Sequence, residues 1–239
     1  GRAGYATHAS RIQHDPPTTP SAARPDGRAL IRGAGVIGVL VTGTDTGVGK
    51  TVVAALLCRG RPGATYVKPA QTGLDTDEAD ADVVARLAGC ATRQGPGFGE
   101  ALAPAVAAAR AGRAVTRADL LRLFAGLCDV VGEGAGGLLV ELGTDGTTLA
   151  DLAIDLDLPL VVVARPGLGT LNHTRLTCEA AWARGVPVAG IVVSRYPADP
   201  GVAERTNLAG LAAIAPLLAV VPELDLAGPL PVIHVHSLA

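Results

Sequence analysis

Methionine is absent from all 239 residues, tryptophan occurs once, and the three aromatic types together make up 3% of the chain. With so few rings the interior must be built from Val, Leu, Ile and Ala, a palette suited to strands buried on both faces beneath helices. No apolar run approaches the roughly 18–20 residues of a membrane-spanning helix, so no segment reads as a span. A formal net charge of −2 without any basic block excludes a nucleic-acid partner held by bulk electrostatics. Close cysteine pairs are missing too. Cys58, Cys90, Cys128 and Cys178 are far apart, with no metal or redox spacing, and buried thiols in a reducing cytoplasm are expected.

The scarcest charged residue is lysine. Only Lys50 and Lys68 occur, against eighteen arginines, and both sit in motif-like segments. A compact ammonium packs against phosphate oxygens as a point charge where a planar guanidinium does not. The pair therefore points to a phosphate-handling site.

Residues 1–33 are rich in Arg, Pro, Thr, Ser and Ala and carry no apolar periodicity. They lack the apolar middle of a secretory signal, although an Arg-rich, acid-poor start mimics a transit peptide. They read as a disordered extension or an over-extended gene start, ahead of one domain over residues 34–239.

From Val36 onward strand-like and helix-like runs alternate. Strands are expected near 36–41, 64–67, 129–131, 159–164, 188–193 and 217–221, and helices near 50–58, 80–87, 117–127, 148–156, 171–183 and 204–214. Residues 91–115 leave their state open. The alternation implies a single-domain, three-layer α/β fold, with a mostly parallel sheet and helices on both faces. The second strand is expected beside the first. Ligands of such sheets collect outside the carboxyl ends of the strands, so Lys50, Lys68, Glu133 and Arg165, each following a strand-like run, should share one rim.

Gly43-Thr44-Asp45-Thr46-Gly47-Val48-Gly49-Lys50-Thr51 resembles a Walker A phosphate loop with its first glycine one place early. Backbone N–H groups around Gly43, Gly47 and Gly49 can turn toward phosphate at the start of a helix. Lys50 would neutralise the β/γ-phosphates and Thr51 would ligate Mg²⁺. Glu133, bracketed by glycines in 132–137 and read as a strand-end acid, has the hard oxygens that Mg²⁺ prefers. The acids Asp75, Asp77, Glu78, Asp80 and Asp82 form a solvated stretch from which spacing alone selects no ligand.

Together with Lys68-Pro69-Ala70-Gln71-Thr72-Gly73, Glu133-Gly134-Ala135-Gly136-Gly137 and Leu168-Gly169-Thr170-Leu171-Asn172-His173-Thr174, the loop makes the chain resemble the dethiobiotin synthetase family of P-loop NTPase-like ligases from about Val36 to Leu224. The resemblance implies an ATP- and Mg²⁺-dependent ring closure in biotin synthesis. CO₂ (or bicarbonate) is added to an amine of 7,8-diaminononanoate, the carbamate is phosphorylated, and the second amine closes a cyclic urea. It implies nucleotide contacts at Gly47, Val48, Gly49, Lys50, Thr51, Val52, Glu133, Gly134, Ala135, Gly136, Pro222, Glu223 and Leu224. Mg²⁺ ligands are implied at Thr51, Asp80 and Glu133, catalytic lysines at 50 and 68, and substrate contacts at Thr72, Gly169, Thr170, Leu171 and Asn172. The last four are implied to act across a homodimer interface, with His173 a helix-start residue.

Three departures from the family pattern carry expectations of their own. Val193-Ser194-Arg195-Tyr196 stands where an adenine-contacting asparagine is usual after the late strand, which leaves the base preference open. The short stretch between Lys50 and Lys68 should trim the first helix, and Gly132, in place of a bulky apolar residue, should loosen its strand. The alternatives are a cobalamin-pathway amide ligase domain and a partition-type ATPase switch sharing the phosphate loop.

Overall fold

Period-two burial runs through the central strands and decides the layering. In the computed structural model, which describes residues 36–234, Val39 and Val41 pack into one apolar layer while Leu40 between them packs into the opposite one. Val161 and Val163 likewise face the first layer, and Leu160, Val162 and Ala164 the other side. Alternation of two apolar faces along one strand requires cover on both sides.

The elements in chain order are β1 (Ile37–Gly43), α1 (Lys50–Arg59), β2 (Thr65–Lys68), α2 (Asp80–Ala88), β3 (Thr92–Gln94), α3 (Pro104–Arg110) and α4 (Arg117–Arg122), followed by β4 (Asp129–Gly137), α5 (Leu149–Leu156), β5 (Leu160–Ala164), α6 (Thr170–Trp182), β6 (Val188–Tyr196), α7 (Val202–Ala212) and β7 (Leu217–Pro222). The strands form a seven-stranded sheet in the order β3-β2-β4-β1-β5-β6-β7, and every pairing is parallel. Helices α1 and α2 supply one apolar layer, and α3 to α7 cover the opposite face. The starts of α4 and α5 are set by capping boxes, Thr116 with Asp119 and Thr148 with Asp151, each satisfying two otherwise orphaned donors.

Several expectations are corrected. β2 pairs with β3 and β4, so β4 separates it from β1. The open stretch 91–115 contains β3 and α3, α4 stops at Arg122, and α1 keeps ten residues because Gly60 turns the chain at once. The glycine-rich segment 132–137 is the second half of β4 rather than a loop after it. Gly132 does not loosen that strand: a Cβ there would lie 2.4 Å from Leu40 Cδ2 and 3.2 Å from the Phe124 ring. Its missing side chain is filled by its neighbours. Gly132→Val should therefore destabilise the fold by about 1–3 kcal/mol through overpacking, read from urea unfolding; an unchanged midpoint would show that Leu40 and Phe124 make room. The expected extension over residues 1–33 lies outside the described residues. Cys58 and Cys90, distant in sequence, meet in space: their side-chain hydrogen bond is the first cause holding the Cys90 pKa down at about 7 and pushing that of Cys58 up.

Candidate active site

The phosphate-type loop joins the central strand β1 to α1. Gly47 and Gly49 have φ of +71° and +92°, left-handed values that favour glycine. Gly49 is constrained twice, since a Cβ would sit 2.4 Å from Ser194 Oγ. The early glycine is also explained: a Cβ on Gly43 would lie 2.8 Å from both Asp45 O and Val48 Cγ2, inside the loop's own curve. Lys50, at the first turn of α1, is buried and donates to Asp45 O at 3.0 Å. Burial is the main cause lowering its pKa, opposed by Glu133 and Asp80 and reinforced by Lys68.

Lys68 closes β2 and is 3% exposed. Its Nζ lies 2.6 Å from Asp80 Oδ2 and 2.9 Å from Glu133 Oε1, and donates to Gly134 O at 3.1 Å. Burial alone would lower its pKa, but Glu133 and Asp80 together outweigh it and leave the value raised. Thr51 Oγ1 stands 2.9 Å from Asp80 Oδ1 and 3.1 Å from Glu133 Oε1, its single proton shared between them. Two carboxylates and one hydroxyl, all hard oxygens, thus converge beside Lys68. That donor set fits Mg²⁺, which keeps several waters and takes one or two carboxylates plus phosphate oxygens.

Two residues that sequence reasoning missed hold this cluster in place. Tyr66, buried in β2, donates its O–H to Glu133 Oε2 at 2.7 Å. Burial, then Glu133 and Asp80, push its pKa well up, so the phenol stays a donor. Gln71 accepts from Asp80 N at 2.9 Å and donates to Glu78 O at 3.3 Å. The N-cap residue of α2, Ala79, has no side-chain cap. Gln71 therefore does from a distance what a capping side chain does locally, and so fixes which acid of the acidic stretch faces the cluster. Its place in Lys68–Gly73 was the available signal.

A cavity of ≈ 350 Å³ is lined by Thr46, Gly47, Gly49, Lys50, Thr51 and Val52 of the loop and helix, with Lys68, Gln71, Thr72, Asp77, Asp80, Glu133, Ala135, Gly136 and Arg195. Val48 and Gly134 lie behind this lining; Val48 packs in the core and Gly134 holds Lys68. A second cavity of ≈ 190 Å³ adjoins it, lined by Gly49, Val52, Ser194, Arg195, Val221, Pro222, Glu223, Leu224 and Leu226. Arg165 lines neither. It reaches Asp45 Oδ2 at 3.2 Å and lies 3.4 Å from His173 Nδ1, tying the loop's outer side to α6. Gly169 (φ +90°) caps α6, and Gly169, Thr170, Leu171 and Asn172 also lie outside both cavities. The N–H groups of Leu171 and Asn172 have no backbone partner among the described residues.

A domain family described as an AAA domain matches residues 37–229. The ATP-dependent dethiobiotin synthetase of Mycobacterium avium (strain 104) is 48% identical over 194 residues, covering 77% of this chain and 86% of that protein. The enzyme of the same name from Mycolicibacterium gilvum (strain PYR-GCK) is 50% identical over 195 residues at the same coverage. Among solved structures, a putative plasmid partition protein from Borrelia burgdorferi B31 bound to AMPPNP aligns with a TM-score of 0.53 at 10% identity, covering 80% of this chain and 89% of that one. That likeness is one of fold alone.

Proposed function

The chain belongs to the ATP-dependent dethiobiotin synthetase family, a family of C–N bond-forming ligases, and from that premise we propose that the two adjoining cavities hold its nucleotide and its diamine. The observation that carries the assignment is the meeting of Lys50, Thr51, Lys68, Asp80 and Glu133 in one cavity, past the carboxyl ends of β1 and β2 and beside the middle of β4.

The loop N–H groups and Lys50 hold the β- and γ-phosphates, and the nucleoside runs over Gly49 and Val52 toward Pro222, Glu223 and Leu224. Thr51, Asp80 and Glu133 hold Mg²⁺, which when bound neutralises charge on the phosphate oxygens. One amine of 7,8-diaminononanoate takes up CO₂. A carbamate oxygen takes the γ-phosphoryl group as its bond to the β-phosphate oxygen breaks and ADP leaves, and Lys68 faces both groups and supplies positive charge where negative charge develops. The Thr72 hydroxyl meets the substrate nitrogen or carbamate. Attack by the second amine on the carbamoyl carbon then expels phosphate and closes the urea. The intermediate anhydride needs a site that excludes water, and burial of Lys50, Lys68 and Glu133 supports one.

The substrate's distal carboxylate is bound by the helix start Gly169–Asn172 of a partner copy. A homodimer through this region is supported by exposed apolar side chains on and beside α6: Leu168, 91% exposed, with Leu171 and Leu176. Free thiols at all four cysteines support a reducing, cytoplasmic setting, and no helix among the described residues is long and apolar enough to cross a membrane.

Phosphate release from ATP with Mg²⁺ and bicarbonate tests the reading. It should depend on the diamine and yield the cyclic urea by mass; release indifferent to the diamine would hand the site to an ATPase switch. In the same assay Asp80→Asn should raise the Mg²⁺ requirement roughly tenfold. An unchanged Mg²⁺ titration would move that ligand role to another carboxylate.

A further inference from the structure

The two cavities share Gly49, Val52 and Arg195. Arg195 has a φ of +55°, and Asp157 is the other non-glycine residue with positive φ among those described. Asp157 is the C-cap of α5, a place where a left-handed residue satisfies helix carbonyls. Arg195 has no such role. It lies near the end of β6, where pairing with β7 shifts register between Val193 and Tyr196. A non-glycine side chain in this region carries strain of about 1–2 kcal/mol, and such strain clusters at ligand-binding positions.

The strained turn aims the side chain at the rim of the sheet. Ser194, just before it, is buried and presses on Gly49, so this end of β6 sits directly on the phosphate-type loop. Arg195 is exposed, and its guanidinium has no hydrogen bond or ion pair among the described residues. In a chain whose other rim cations, Lys50, Lys68 and Arg165, are all bonded, this one is left for something else. A molecule with its phosphates in the first cavity and its nucleoside in the second must cross Gly49 and Val52 beneath Arg195.

We infer that Arg195 is a nucleotide-binding residue that clamps the nucleoside at the junction of the two cavities. The inference rests on the nucleotide assignment made above. A planar guanidinium stacks on the face of any base, so the clamp holds adenine, cytosine and guanine nucleotides alike and reads none of them.

The test is calorimetric binding of ATP, CTP and GTP to the wild type, Arg195→Gly, Arg195→Lys and Lys50→Ala, with thermal unfolding of each. Glycine keeps the left-handed backbone without strain, so Arg195→Gly should fold at least as well as the wild type. It should bind all three nucleotides about tenfold more weakly, and Arg195→Lys should recover only part of that loss. In turnover the KM for nucleotide should rise while kcat and the KM for diamine stay level. Unchanged affinities in Arg195→Gly, or a loss confined to one base, would overturn the clamp while leaving the nucleotide site standing. Wild-type binding that survives Lys50→Ala undiminished would instead bring down the nucleotide assignment, and the clamp with it.

Discussion

Lys68→Arg should retain about one-hundredth or less of wild-type turnover, although charge is conserved. The ammonium is sealed between Asp80 Oδ2, Glu133 Oε1 and Gly134 O within 2.6–3.1 Å, and the larger planar guanidinium cannot occupy that position without moving the carboxylates. Loss of one donor aimed at developing charge costs roughly 10²–10³-fold in rate. Lys68→Ala separates charge from shape. It leaves two acids without the cation bonded to both, and removing one partner of a buried ion pair costs about 3–5 kcal/mol; partial exposure of Asp80 and the nearby charge of Lys50 place the expected loss near the lower end. Because the pKa of Lys68 is raised in the fold, its contribution to stability is complete below the unfolded lysine value of roughly 10.4 and fades only as pH rises through the higher folded value. Single-turnover rates and unfolding curves check both variants. Near-normal turnover in Lys68→Arg would remove any special role for the ammonium.

Lys50→Arg should weaken nucleotide binding on the order of 10²-fold, the effect of losing one or two hydrogen bonds to a charged group. The wild-type side chain folds back across its own loop to Asp45 O, a curve that a short, flexible ammonium can follow and a rigid fork cannot. The same burial gives a pH signature. Desolvation lowers the Lys50 pKa, so the positive charge is lost as pH rises through a value below that of an ordinary lysine. Nucleotide affinity should therefore begin to fall at a pH below the range in which an ordinary lysine loses its charge. A titration of Kd against pH that stays flat until lysine's usual range would contradict the burial argument.

The architecture was legible because its signals are short-range. Alternating apolar runs marked six of the seven strands, and loop chemistry marked the phosphate-type turn. What escaped has physical reasons. β3 is three half-buried residues, Thr92–Gln94, too short and too polar to show a period. α3 lies in an alanine-rich stretch whose apolar residues define no single face. The glycines of 132–137 read as a loop because a strand normally needs side chains to pack, whereas here Leu40, Phe124 and Leu149 reach over from other elements to fill the space. Lys50, Thr51, Lys68 and Glu133 could be named from motif alone. Tyr66 and Gln71 could not, since each acts on a residue that touches it in space but lies 67 or 9 positions away in the sequence. The segment 193–196 was visible as a departure from a pattern, but the backbone turn that singles out Arg195 within it was not.

Gln71 also sets what the chain can tolerate. Its side chain joins the residue next to Thr72 to the first residue of α2, closing the base of the intervening loop. Beyond that clasp Asp75, Thr76, Asp77 and Glu78 are exposed. Side-chain substitutions at Asp75 and Thr76 would leave this clasp intact, and Asp80 would keep its position. A small reporter group attached there would sit beside the cavity that Asp77 lines and would sense its filling without displacing Asp80.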